Sequence, residues 1–265
     1  MKTVPSIGIV GGTGQLGSAI ALGLLRNKYF RPEQLWISSR SSNTSLFKKG
    51  LRIKFTTHNQ DLVDSCQIVI ISVPPHLLPA IDINAEDRLV ISVMAGVSIK
   101  QLQQNTNTKR IVRAMSNPAA IIGLAYSPWC ASSDLVDKDR EWTQKIFEAC
   151  GLTDEVSDEN QIDQFTAITG PVPGFVAYYA DCMVKYALKH GIDPLIADRA
   201  IRQLFHASGV FLSQSKASPG EHVNDMISYA GTTAAGLEAM KSSSLAVSIE
   251  HGLEAAYQKA HNKTR

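Results

Sequence analysis

Apolar and polar positions alternate in blocks along the first part of the chain and in helical stripes along the rest. Ser6-Ile7-Gly8-Ile9-Val10 is a short, nearly continuous apolar run, the mark of a strand buried on both faces. A helical apolar period follows to about Asn27, and Leu35-Trp36-Ile37-Ser38 predicts a second strand. Further strands are predicted over 51–56, 68–73, 89–93 and 110–115, with a short helix over 59–66 that has Asn59 near its cap. Pro74-Pro75 stops the fourth strand. A strand near 123–127, a helix over 138–150 and a strand near 153–156 would complete a sheet. After Asp158 the β-rich runs stop, and long helices are predicted over 173–189, 194–213 and 244–261. Pro173 and Pro194 suit first helical turns.

The glycines between the first strand and the first helix give that pattern a chemistry. Gly12-Thr13-Gly14-Gln15-Leu16-Gly17 is a G-x-G-x-x-G placed directly after a strand and opening a helix. In that setting the backbone can approach a pyrophosphate, and the helix start offers free N–H groups. Strands alternating with helices therefore predict an α/β Rossmann-type doubly wound sheet, followed by an all-α C-terminal domain. The expected domains are 1–158, for the dinucleotide, and 159–265, helical. At the end of the second strand an NAD site places an acid against the ribose 2′-OH. Here the residues are Ser39-Arg40-Ser41-Ser42-Asn43. Arg40 can pair with a 2′-phosphate and the serine hydroxyls can donate to it, which favours NADPH over NADH. Ligands of such sheets bind beyond the carboxyl ends of the strands, so Thr13, Ser39, Asn59, Ser72, Ala95 and Asn117 are site candidates.

Composition mainly excludes. The 265 residues are 44% hydrophobic and 19% charged, with a net charge of +2, so neither a polyanion nor nucleic acid is implied as a partner. No apolar run reaches membrane-spanning length, and the first strand begins too soon to leave room for a targeting peptide, so a cytoplasmic protein is expected. Cys66, Cys130, Cys150 and Cys182 form no C-x-x-C pair and sit in apolar or helical contexts, which predicts reduced, mostly buried thiols. The histidines show no ligand spacing, so no metal is expected.

Over nearly its full length the chain resembles the pyrroline-5-carboxylate reductase family, and several ordered motifs carry the resemblance. His58-Asn59-Gln60 matches the segment in which the family's asparagine contacts NADPH. Ser72-Val73-Pro74-Pro75 stands where the family has A-V-K-P. Ser92-Val93-Met94-Ala95-Gly96-Val97-Ser98 matches S-x-x-A-G-[IV]-[ST], and Arg113-Ala114-Met115-Ser116-Asn117 matches R-x-M-x-N. Glu159 and Asp163 precede Thr166-Ala167-Ile168-Thr169-Gly170, and Gly231-Thr232-Thr233-Ala234-Ala235-Gly236-Leu237 matches G-T-T-x-x-G-L. The departures cluster at the expected substrate pocket: Pro171 and Val172 in the S-G-S-G-P-A-Y loop, and Tyr229-Ala230 where the family has Pro-Gly. The turn Gly11-Gly12-Thr13-Gly14 also resembles that of coenzyme F420-dependent NADP reductases.

The resemblance implies reduction of 1-pyrroline-5-carboxylate to L-proline, with Thr233 holding the imine nitrogen. Ser228 and Thr232 would hold the substrate carboxylate, with Glu159 and Asn117 beside the substrate. Gly12, Thr13, Gly14, Gln15, Leu16, Gly17, Ser39, Arg40, Asn59, Ser72, Val73, Pro74, Ala95 and Gly96 would hold the cofactor. An intertwined helical homodimer, or a multiple of it, is also implied. Two alternatives stand beside this reading: a reductase of a related imine or keto acid, and a catalytically silent NADPH-binding paralogue.

Overall fold

The computed structural model describes residues 4–27, 29–40, 45–48 and 50–261. The chain divides into two compact units, one running to Val172 and rejoined from Ala255, the other Pro173–Glu254.

The first unit is built on strands β1 (Ile7–Val10), β2 (Leu35–Ser38), β3 (Lys54–Thr56), β4 (Ile68–Ile71), β5 (Leu89–Ser92), β6 (Ile111–Ala114) and β8 (Trp129–Ala131). They lie in the order β3-β2-β1-β4-β5-β6-β8. All neighbouring pairs are parallel except β6 with β8. The chain reverses its direction of growth between β1 and β4, the switch point at which such sheets open a crevice. Four strands, β1, β4, β5 and β6, are buried at every residue. Their side chains alternate between two cores. Ile7, Ile9, Ile68, Ile70 and Ile91 join Ile20 and Leu24 of α1 (Gln15–Arg26) and Phe147 of α4 (Asp137–Glu148). Val10, Val69, Ile71 and Val90 join Leu62 of α2 (Asn59–Ser65) and Leu102 of α3 (Ile99–Thr106). Both faces are covered, so the strands read as unbroken apolar runs.

The far end of the sheet differs from expectation. The predicted strands near 123–127 and 153–156 do not complete it. Instead β7 (Ala125–Tyr126) and β9 (Gly151–Leu152) pair with each other in a separate two-stranded sheet. The place beside β6 is taken by β8, which the hydrophobic pattern did not single out. Its three residues follow Pro128, and Trp129 fills the core at 2% exposure. The third strand is also shorter than predicted, starting at Lys54. Burial pushes the Cys66 and Cys150 thiols up to about 12, and Cys130 is raised for the same reason.

Helix α5 (Asn160–Ile168) belongs to this unit. The compact division therefore falls after Val172, beyond the expected boundary at Asp158, because Arg113 of β6 holds Glu159 and Asp163. The second unit comprises α6 (Gly174–Lys189), α7 (Pro194–Gln214), α8 (Pro219–Ser228), α9 (Thr232–Lys241) and most of α10 (Leu245–His261). Pro194 occupies the first turn of α7 as predicted, whereas Pro173 is the N-cap of α6 rather than part of its first turn. Ala187, Ala197 and Ala234 are the buried apolar residues described in this unit.

Candidate functional site

The carboxyl ends of β1, β2 and β4 frame a cleft of about 620 Å³. The turn after β1 forms one wall. Gly11 has φ +78, and a Cβ there would stand 2.4 Å from the Ser72 carbonyl oxygen, so only glycine fits. Gly11 and Gly12 donate their N–H groups to the Ser38 carbonyl, tying the turn to the end of β2. Gly17 sits in the first turn of α1, where a Cβ would meet the Gly11 carbonyl oxygen at 2.5 Å. It allows helix and turn to pack closely. The N-cap of α1 is Gly14, which has no side chain to cap the helix. The first N–H groups of α1 therefore point at whatever enters the turn, the arrangement that suits a pyrophosphate.

Thr13, Gly14, Ser39, Arg40, Asn59, Ser72, Val73 and Pro74 all line this cleft. Asn59 is fixed in place: its Oδ1 accepts a hydrogen bond from Ser38 Oγ at 2.8 Å, and Ser38 is fully buried. Its amide donors have no partner among the described residues. Arg40 is exposed at the end of β2. Ser41, Ser42 and Asn43 lie outside the described residues. The lining also includes Gly11, part of the turn Gly11-Gly12-Thr13-Gly14, and Val10, Leu77, Ala80 and Ile81, which no motif marks. Leu77 and Ala80 belong to a 3-10 turn, Pro75–Ala80, that opens where Pro74-Pro75 reads simply as a strand stop, and Ile81 is its C-cap.

Six expected cofactor residues stand outside that lining. Gly12 and Gly17 build the turn, Gln15 and Leu16 belong to the first turn of α1, and Ala95 and Gly96 lie beyond β5. Gly96 has φ +66 in the turn that leads to α3. A volume of this size and polarity, with a glycine cradle and a cationic rim, fits a dinucleotide.

Two expected substrate residues of the first unit are engaged by the protein itself. Asn117 is 3% exposed; its Oδ1 accepts from Ala119 N–H at 3.0 Å and its Nδ2 donates to the Thr169 carbonyl at 3.1 Å. It caps the 3-10 turn Pro118–Ile122 and fastens the end of α5 to the end of β6. Glu159 Oε1 accepts from Ile99 N–H at 2.7 Å and from Arg113 Nη1 at 3.2 Å. Its side chain is about one-third exposed, and Oε2 has no partner among the described residues.

The other expected substrate residues stand in the second unit. Ser228 ends α8, and Thr232 and Thr233 open α9. The N-cap of α9 is Gly231, again with no side-chain cap, so neither threonine hydroxyl is spent in closing the helix. Ser228, Thr232 and Thr233 are all exposed. Ala230, just before the cap, holds φ +56, a left-handed conformation that costs a residue with a Cβ. Tyr229 is 86% exposed, and its ring lies beside Gly231, where a Cβ would meet it at 3.5 Å.

Two family models match in sequence order. Residues 6–96 match "NADP oxidoreductase coenzyme F420-dependent", and residues 159–263 match "Pyrroline-5-carboxylate reductase dimerisation". Pyrroline-5-carboxylate reductase 2 of Bacillus subtilis is 29% identical, covering 94% of this chain and 91% of its own length. Pyrroline-5-carboxylate reductase 3 of Macaca fascicularis is 26% identical over 98% of this chain and 96% of its own. Among solved structures, 1-pyrroline-5-carboxylate reductase from Streptococcus pyogenes superposes with a TM-score of 0.83 at 25% identity, covering 97% of this chain and 98% of that one. With a glycine-cradled cleft on a doubly wound sheet and a helical second half, the chain is similar to pyrroline-5-carboxylate reductases along nearly its whole length and theirs.

Proposed function

We propose that this protein reduces 1-pyrroline-5-carboxylate to L-proline with NADPH, the closing step of proline biosynthesis. The observation that carries the reading is the coincidence, in one chain, of a dinucleotide cleft with an uncapped helix that opens on Gly231-Thr232-Thr233. NADPH, when bound, supplies the hydride for the C=N carbon. The chain's own residues bind, orient and exclude water. The start of α1 takes the pyrophosphate, Arg40 and Ser39 take the 2′-phosphate, and Asn59, Ser72, Val73 and Pro74 line the path between. Ala95 and Gly96 support the nicotinamide side.

On the substrate side, the Thr232 N–H and Ser228 receive the carboxylate, as a helix start favours an anion. The Thr233 hydroxyl holds the imine nitrogen, whose protonated form is the better hydride acceptor, and it stabilises the amine as it forms. Asn117 and Glu159 enter as supports of the surrounding backbone, since their hydrogen bonds are made within the protein. Residues 1–158 serve as the cofactor domain, and residues 159–265 as the dimerisation and substrate domain of a cytoplasmic homodimer or a multiple of it. Two observations support that reading: among the described residues no helix is long and apolar enough to cross a membrane, and residues 159–263 match a dimerisation family.

The test is one cuvette. Adding 1-pyrroline-5-carboxylate to enzyme and NADPH should oxidise NADPH with stoichiometric formation of proline. Tight NADPH binding with no such oxidation would replace this reading with the silent-paralogue or related-substrate one.

A further inference from the structure

The first unit contains a buried charge cluster that the proposed chemistry leaves unused. Arg113 sits in the middle of β6 at 1% exposure, between Val112 and Ala114, where an apolar side chain would fill the space at no electrostatic cost. Its Nη1 donates to Glu159 Oε1, and its Nη2 donates to Asp163 Oδ1 at the other side of the guanidinium. Glu159 Oε1 also accepts from the N–H of Ile99, the first residue of α3. Asp163 Oδ2 lies 3.5 Å from His261 Nδ1 on the last turn of α10. One guanidinium thus links β6 to the start of α5 and, through Glu159, to the start of α3.

The link to α3 has a consequence for the turn before it. Residues 93–98 leave the carboxyl end of β5, pass through Gly96 in the left-handed region, and enter α3 at Ser98, whose side chain caps the helix by accepting from Gln101 N–H. Ala95 and Gly96 have almost no side chain with which to brace this turn. Buried Met94 and Val97 anchor it on either side of this pair, and Glu159 holds the start of α3 with a charge-assisted hydrogen bond. A buried ionic network with defined partners specifies one geometry where an apolar contact would tolerate several.

We infer that Arg113 and Glu159 are positioning residues for the nicotinamide half of the cofactor, acting through the start of α3 on the turn at Ala95-Gly96. The inference rests on the proposed binding of NADPH, not on the identity of the imine. Arg113 is too deeply buried to vary safely, so the test uses Glu159, which is partly exposed, in the full-length protein. Glu159→Ala removes the acceptor for Ile99 N–H; Glu159→Gln keeps an acceptor and removes the charge. The readouts are titration with NADPH, followed by the fluorescence of the bound nicotinamide, and titration with 2′,5′-ADP, which carries only the adenosine half.

Glu159→Ala should weaken NADPH about fivefold to tenfold and alter the bound nicotinamide emission, while 2′,5′-ADP binds as in the wild type. Glu159→Gln should recover most of the NADPH affinity. Wild-type NADPH affinity and emission in Glu159→Ala would overturn the inference, as would an equal loss for both ligands, which would mark general destabilisation. Neither titration contains an imine, so the role of the cluster is decided even in a protein that fails to reduce 1-pyrroline-5-carboxylate.

Discussion

The two compact units bury apolar surface in opposite ways. The sheet unit closes its own core: Ile9, Ile20, Ile70, Ile91 and Phe147 are fully buried, and both faces of the sheet are covered. The unit Pro173–Glu254 buries only three alanines among its described apolar residues, while Tyr178, Leu195 and Phe211 are 72%, 75% and 75% exposed. Its ion pairs, Lys185–Asp181 and Arg202–Asp198, are exposed contacts one helical turn apart, and such pairs add little. Apolar surface on this scale is the mark of an interface rather than of a free surface. A sheet with helices on both faces is complete within one chain, whereas this set of helices leaves many of its large apolar side chains exposed. The dimer proposed above would cover them.

The largest expected effect breaks that contrast directly. Phe211→Asp places a charge in the proposed interface, where an unpaired buried carboxylate costs about 3 kcal/mol or more. The dimer should dissociate at micromolar concentration, and the helical unit should melt at a lower temperature as the protein is diluted. A light-scattering mass unchanged from the wild type would count against the shared core.

A change confined to the complete unit should leave assembly alone. Arg40→Asp should weaken NADPH by about 1.5–3 kcal/mol, roughly tenfold to a hundredfold, and reverse the preference over NADH. Its mass should match the wild type. Equal affinity of the wild type for both cofactors would refute the role of Arg40.

Thr233→Val tests the incomplete unit without touching its apolar surface. Turnover should fall about tenfold with NADPH affinity unchanged if the hydroxyl holds the imine nitrogen as proposed, since it is not spent as a helix cap. Thr233→Ser should retain most activity. Wild-type turnover in the valine variant would reduce Thr233 to a helix former.

The smallest effect is local to α8. Ser218 Oγ accepts from Glu221 N–H, and Glu221 Oε2 accepts from Ser218 N–H at 2.6 Å, a reciprocal cap. Ser218→Ala should cost roughly 1 kcal/mol. Hydrogen bonds from the Ser218 N–H and hydroxyl hold the Glu221 carboxyl below its ordinary value. The cap is therefore fully present above the unfolded carboxyl range and is lost as pH falls through the lower folded value. Acid titration of helicity should show the wild type losing α8 at low pH and Ser218→Ala showing less of that loss.

Local pattern was a good guide wherever one short segment carries its own signal. The strands β1, β2, β4, β5 and β6 were legible because strands covered on both faces are continuous apolar runs with turn residues between them. The glycine turn and Arg40 were legible because a backbone approach and a cation are properties of single residues. The strand β8 was hidden because three residues beside a proline carry no period, and its antiparallel pairing with β6 depends on a segment distant in the chain. Leu77, Ala80 and Ile81 were hidden for a similar reason: nothing local distinguishes them from residues that pack inward, and only the folded 3-10 turn brings them to the cleft.

The amino-acid sequence by itself determined the doubly wound sheet, the dinucleotide turn, the helical second half and the family resemblance. All of these follow from hydrophobic period, glycine placement and ordered motifs, which are properties of neighbours along the chain. Tertiary structure alone decided that Glu159 and Asn117 serve the protein's own backbone, that Arg113 gathers two carboxylates in the core, and that the first compact unit extends through α5 and is rejoined from Ala255. Those facts depend on which distant polar groups meet once water is excluded, and pairing at long range in the chain leaves no period to read.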